Sequence, residues 1–99
     1  YIDQHYADAN LSLNEVAGQV NLSPSHFSTV FSQETGQTFK EYLTEVRIQH
    51  ARELLRSTTL RSSEISYQIG YSDPHYFSYV FHKQTGLSPK DYRLQTQSG

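Results

Sequence analysis

Tyr79 has His75 and Tyr76 four and three residues before it, and His82 and Lys83 three and four residues after it. These are the steps that bring side chains onto one face of a helix. Two imidazoles, two phenols and an ammonium on one face make a surface of hydrogen-bond donors with flat rings among them. The imidazoles invite a metal reading, but His75 and His82 lie about two turns, or ~10 Å, apart along a helix axis. One ion does not bridge that gap. The chain also has no Cys and no His pair at i, i+4, so neither metal nor cofactor is expected. Ser, His and Asp all occur, yet no nucleophile elbow, Gly-rich phosphate loop or carboxylate pair joins them. Enzyme activity is not expected.

The face is set by what must point the other way. Phe77, Val80 and Phe81 stand at i, i+3, i+4, an inward stripe that leaves the five polar and aromatic residues outside. That stripe is a second copy. Pro24, Phe27, Ser28, Val30, Phe31, Thr35, Gly36, Lys40 and Tyr42 recur fifty residues later as Pro74, Phe77, Ser78, Val80, Phe81, Thr85, Gly86, Lys90 and Tyr92. Upstream the offset is forty-nine: Leu11, Glu15, Val16, Gln19 and Val20 fall on Leu60, Glu64, Ile65, Gln68 and Ile69. A one-residue insertion before Pro74 accounts for the difference.

Each copy reads as a helix, a tight turn and a second helix. Ser12 with Glu15 is a capping box opening a helix to about Val20, and Asn21 ends it in the left-handed region. Ser23 caps the next helix with Pro24 at its first position; Gly36 stops it. The second copy repeats the pattern through Glu64, Ile65, Ile69 and the turn at Gly70, then Asp73, Pro74 and Gly86. Between the copies, a capping box at Thr38 and Glu41 opens a helix to about Arg56. At about 100° per residue, Phe39, Tyr42, Leu43 and Val46 face one way. Ile48, Ala51, Leu54 and Leu55 face another, rotated by roughly 140°. One helix thus serves two cores, and at ~1.5 Å per residue it spans about 27–30 Å. Tyr1–Tyr6 is expected to form a lead helix, and Ser88 with Pro89 to start a last short one. The expected fold class is all-α: two helix-turn-helix subdomains, about seven helices in all, joined by a long linker helix. The divisions are 1–37, 38–57 and 58–99.

Ninety-nine residues with eight Tyr and five Phe suggest one small domain with a core built on rings, too small to enclose a deep catalytic pocket as well. The net charge of −2 hides an asymmetry. In residues 1–49, Lys40 and Arg47 oppose six carboxylates, a net of −4. In residues 50–99, six cations oppose Glu53, Glu64, Asp73 and Asp91, a net of +2. The second half is the better phosphate binder, and the weak overall field predicts modest affinity. The absence of Cys fits a reducing, cytoplasmic setting; no apolar run approaches the ~20 residues of a membrane span. A chain with no Met that opens on Tyr1 reads as a piece of a longer protein, with its regulatory domain outside this piece.

Arg47-Ile48 with Ala51 and Leu54-Leu55, Glu64-Ile65 with Ile69-Gly70-Tyr71, Tyr76-Phe77, Phe81, Gly86, Ser88-Pro89 and Tyr92-Arg93 together resemble the AraC/XylS family of bacterial transcription regulators. The resemblance covers nearly the whole chain, with output domains of response regulators as its nearest flavour. It implies two helix-turn-helix units on double-stranded promoter DNA, each second helix in a major groove, and activation through contacts with RNA polymerase. On the first such helix it selects Ser25, Ser28, Thr29 and Ser32 as base readers. These are short hydroxyl side chains without the bidentate fork of Arg, so direct readout by this unit is expected to be weak. On the second, His75, Tyr76, Tyr79, His82 and Lys83 are the expected contacts, with Tyr76 alternatively packed on a neighbouring helix. The resemblance makes Arg47 a paired interior residue joining the subdomains. Lys40, Arg61 and Lys90 are candidates for phosphate, and Arg52, Glu53 and Arg56 a solvated face. The competing reading keeps the scaffold but gives its outer helices to a protein partner, which the acidic first half favours.

Overall fold

The computed structural model describes residues 2–8 and 11–97. Among these there are seven helices and no strand: α1 (Ile2–His5), α2 (Leu13–Gln19), α3 (Pro24–Thr35), α4 (Phe39–Ser57), α5 (Ser62–Gln68), α6 (Pro74–Thr85) and α7 (Pro89–Gln97). Tyr1, the first residue of the expected lead helix, lies outside the described residues.

The boundaries are set by local chemistry. Ser12 Oγ accepts from the Glu15 amide at 3.2 Å and Ser23 Oγ from the His26 amide at 3.2 Å, each satisfying an amide with no partner inside its helix. At α4 the capping box closes in both directions, Thr38 N–H to Glu41 Oε1 at 3.0 Å and Glu41 N–H to Thr38 Oγ1 at 3.1 Å. The Thr38 amide and hydroxyl both hold the Glu41 carboxyl below the usual carboxylate range. Asn21 turns the chain at φ 59°, the left-handed conformation its short side chain tolerates. The second unit departs from the first at α5. Its N-cap is Arg61, which makes no side-chain cap bond, where the first unit has Ser12.

The two halves of α4 enter different cores. Phe39 and Leu43 are buried with Leu11 and Val16, and Phe27, Phe31, Tyr42 and Val46 pack around them. Ile48, Ala51 and Leu55 are buried with Ile65, Ile69, Tyr71, Phe77, Val80 and Phe81, with Leu54 at the edge. The rotation between the two apolar faces of α4 therefore works as a hinge-free joint, and the whole extends 46 × 22 × 21 Å.

The repeats are not equally well packed. Phe77 and Phe81 are fully buried, whereas no residue of α3 is, although Phe27 and Phe31 pack on the first core. Among the described residues, the second half of α4 adds Ile48, Ala51 and Leu55 to the core of the second unit, which gathers nine buried residues where the core of the first gathers four. Complete burial of a large apolar side chain contributes about 1.5–3 kcal/mol, so the second unit holds the larger share of stabilisation.

A guanidinium fastens each unit, buried at Arg47 and half-buried at Arg93. Arg47 donates from Nε to the Tyr6 carbonyl at 2.8 Å and from Nη2 to the Asp8 carbonyl at 2.9 Å. Arg93 donates from Nε to the Leu55 carbonyl and from Nη2 to the Thr58 carbonyl, both at 3.1 Å. The first acceptors, Tyr6 and Leu55, are repeat partners forty-nine residues apart, and Thr58 lies one residue beyond Ser57, the repeat partner of Asp8. Arg47 and Arg93 are only forty-six apart, so the same clamp is reached from one helical turn away.

Candidate nucleic-acid interface

Burial of Phe77, Val80 and Phe81 drives the opposite face of α6 into solvent. His75, Tyr76, Tyr79, His82 and Lys83 are all exposed there. Tyr76 and Tyr79 keep 48% and 62% of their surface open, a large aromatic area to leave in water without a partner. Asp73 starts the helix by accepting from the His75 amide at 2.9 Å, and Pro74 occupies the first helical position.

Tyr76 is exposed, and its ring partners lie in the turn before α6 and on α6 itself. Its outer face is open, and its ring meets Tyr71 edge-on at 5.9 Å and stacks with Tyr79 at 6.4 Å. Tyr71 is nearly buried, and the Arg47 guanidinium lies 5.1 Å from its ring centroid. Burial pushes the Tyr71 phenol up, partly offset by the Arg47 charge. A continuous run from Arg47 through Tyr71 and Tyr76 to Tyr79 thus ties the exposed rings to the joint between the cores. Arg47 is the paired interior residue expected, although its partners are carbonyls and a ring rather than a carboxylate. Beyond their place in the family resemblance, the sequence marks Tyr71 only as an aromatic directly after the turn glycine and Arg93 only as an Arg in the last helix.

The first unit presents a poorer face. Ser25, Thr29 and Ser32 of α3 are exposed and Ser28 is half-buried. Thr29 Oγ1 donates back to the Ser25 carbonyl at 3.1 Å, leaving that hydroxyl oxygen as an acceptor. Arg61 and Lys90, at the starts of α5 and α7, are exposed, as is Lys40 near the start of α4. Among the described residues no three His, Asp or Glu side chains converge as metal ligands would. No described helix is long and apolar enough to cross a membrane.

Comparison with known proteins supplies the context for this geometry. A family model described as a helix-turn-helix domain matches residues 16–95. The chain is 38% identical over 98 residues to the HTH-type transcriptional regulator YijO of Escherichia coli (strain K12), covering 99% of this chain and 34% of that protein. It is 39% identical over 93 residues to the arabinose operon regulatory protein of the same organism, covering 94% and 32%. The chain thus spans about a third of the length of the curated relatives it matches. Among solved structures, the C-terminal domain of AraT, a response regulator from Geobacillus stearothermophilus, superposes with a TM-score of 0.94 at 42% identity, covering 96% of this chain and 78% of that one. The duplicated bihelical units, the shared α4 and these likenesses agree: the chain belongs to the helix-turn-helix domain family, in its AraC/XylS branch.

Proposed function

We propose that the chain binds double-stranded DNA sequence-specifically, with α3 and α6 in adjacent major grooves, and thereby regulates transcription of bacterial promoters as an activator. The observation that carries this reading is the duplication itself. The second helix of each bihelical unit turns an uncovered face to solvent, and one unbroken helix of nineteen residues holds the units together. A rod of that length spans about 28 Å. That is close to the ~34 Å between successive major-groove faces of B-DNA.

In this reading the subdomains are residues 1–37 and 58–99, with 38–57 as the linker. His75, Tyr76, Tyr79, His82 and Lys83 supply most of the readout, and Ser25, Ser28, Thr29 and Ser32 a weaker share. Imidazole and phenol groups donate to base edges and phosphates, and the rings offer apolar contact to thymine methyls. The function is binding rather than catalysis, carried out in the cytoplasm. RNA polymerase is the second partner, and a regulatory domain elsewhere in a longer protein supplies the signal.

Selection of binding sites from a random duplex pool with the purified chain tests the proposal. Enrichment of a two-part motif with its halves one duplex turn apart is the expected result. Recovery of no motif, with no complex on promoter fragments even at low salt, transfers the exposed faces of α3 and α6 to a protein partner.

A further inference from the structure

The surface between α3 and α6 shows where on α4 Lys40, a candidate for phosphate by sequence, stands relative to the two outer helices. Three adjoining clefts lie along that surface, of about 360, 410 and 320 Å³, and Lys40 lines all of them. The first cleft includes Ser28 of α3. The second includes Thr44 and Tyr76. The third includes Tyr76, Tyr79 and Lys83 of α6. A continuous trough therefore runs from one outer helix to the other, across the first two turns of α4, with Lys40 where its parts meet.

The charges in the trough are not equivalent. Lys40 is exposed, and within the described residues no hydrogen bond or ion pair engages its ammonium. Glu41 and Asp73 also line the trough, but their carboxylates are turned to the starts of their own helices. Glu41 accepts from the Thr38 amide and Asp73 from the His75 amide. There the helix dipole partly neutralises them. The ammonium groups of Lys40 and Lys83 are left as the charges free to meet an anion. In a first half with net charge −4, a lone uncommitted Lys at the centre of the trough stands out against its surroundings.

We infer that α4 is itself a DNA contact: Lys40 meets a phosphodiester of the stretch between the two half-sites, with Lys83 on the same strand wall. This rests on the DNA-binding reading above. It adds that the linker helix supplies affinity without sequence preference, because an ammonium on a phosphate carries no base information.

The test is the salt dependence of binding, measured by fluorescence anisotropy on a selected site and on an unrelated duplex, for the unchanged chain, Lys40→Gln, Lys40→Arg and Arg56→Gln. Each phosphate neutralised contributes about 0.9 to the slope of log K against log salt. Lys40→Gln is expected to lower the slope by about 0.9 and to weaken both duplexes by a similar factor. Lys40→Arg retains the slope, and so does Arg56→Gln, whose charge sits at the far end of α4. A Lys40→Gln slope equal to that of the unchanged chain overturns the inference. So does an equal effect of Arg56→Gln, which marks a diffuse field, or a loss confined to the selected site, which marks base reading. If the unchanged chain binds neither duplex at low salt, the DNA-binding reading itself has failed, and the inference with it.

Discussion

Arg47 and Gly70 approach so closely that a methyl group on Gly70 would lie 2.9 Å from Arg47 Nε and 2.6 Å from the Tyr6 carbonyl that Nε bonds. Gly70 also sits at φ +102°, a conformation L side chains rarely adopt. The turn of the second unit therefore seats the guanidinium that fastens the first, and one glycine serves both the turn and the joint.

Gly70→Ala is accordingly expected to cost about 3 kcal/mol or more, combining backbone strain with displacement of Arg47. Gly86→Ala is the control. Gly86 also has a left-handed φ of +82°, but a methyl there meets nothing within 4 Å, so the expected cost is about 1–2 kcal/mol. Urea unfolding of the two variants measures the difference; equal losses mean that the contact with Arg47 carries no energy.

Replacing Arg47 by Ala removes two charged hydrogen bonds: the Tyr6 carbonyl loses its Arg47 donor, while the Asp8 carbonyl keeps the Leu11 amide at 3.1 Å. Each such bond contributes about 1.5–3 kcal/mol, so the melting temperature is expected to fall by more than about 10 °C. Lys at this position is expected to recover less than half, because an ammonium has no planar fork to span both carbonyls while covering Tyr71. Thermal melts followed by circular dichroism decide it.

The unequal cores predict unequal local stability. Phe77→Ala empties a fully buried site and is expected to cost about 3–5 kcal/mol. Phe27→Ala, at a half-buried position, is expected to cost about 1–2 kcal/mol. Native-state hydrogen exchange on the unchanged chain should show the amides of α2 and α3 opening at lower free energy than those of α6.

The raised Tyr71 phenol gives a pH dependence of defined sign. A folded pKa above the unfolded value of 10.0 means that the folded state holds its proton longer. The stabilisation is complete below about pH 10 and is lost as pH rises through the folded value. Burial is the main cause, with the Arg47 charge opposing it. Tyr71→Phe is expected to flatten the alkaline limb of the stability curve; an unchanged limb in that variant would show that other groups set it.

Readout is expected to be lopsided. Tyr79→Ala or His75→Ala should cost about 1–3 kcal/mol of preference for the selected site, and Ser28→Ala under about 1 kcal/mol. Footprinting of each variant measures the loss at each half-site. Equal losses from both helices would count against the larger share assigned to α6.

Much of this molecule is written locally. Pro24 and Pro74, the capping pair Thr38 and Glu41, and the left-handed stops at Asn21, Gly36 and Gly86 act within one turn of chain, so the helices and their repeat are legible without any fold. The two apolar faces of α4 were legible for the same reason, since about 100° per residue fixes which side chains share a direction. The outward face of α6 followed from its inward stripe. Packing in three dimensions settled how deeply each stripe is buried, because that depends on how many side chains from elsewhere in the chain gather over it. It also decided that Arg47 binds the carbonyls of Tyr6 and Asp8 under the ring of Tyr71, that Arg93 repeats the clamp from a different register, and that Lys40 lies in a trough joining α3 to α6. Those relations join residues tens of positions apart, and no periodicity in the chain encodes the distance between them.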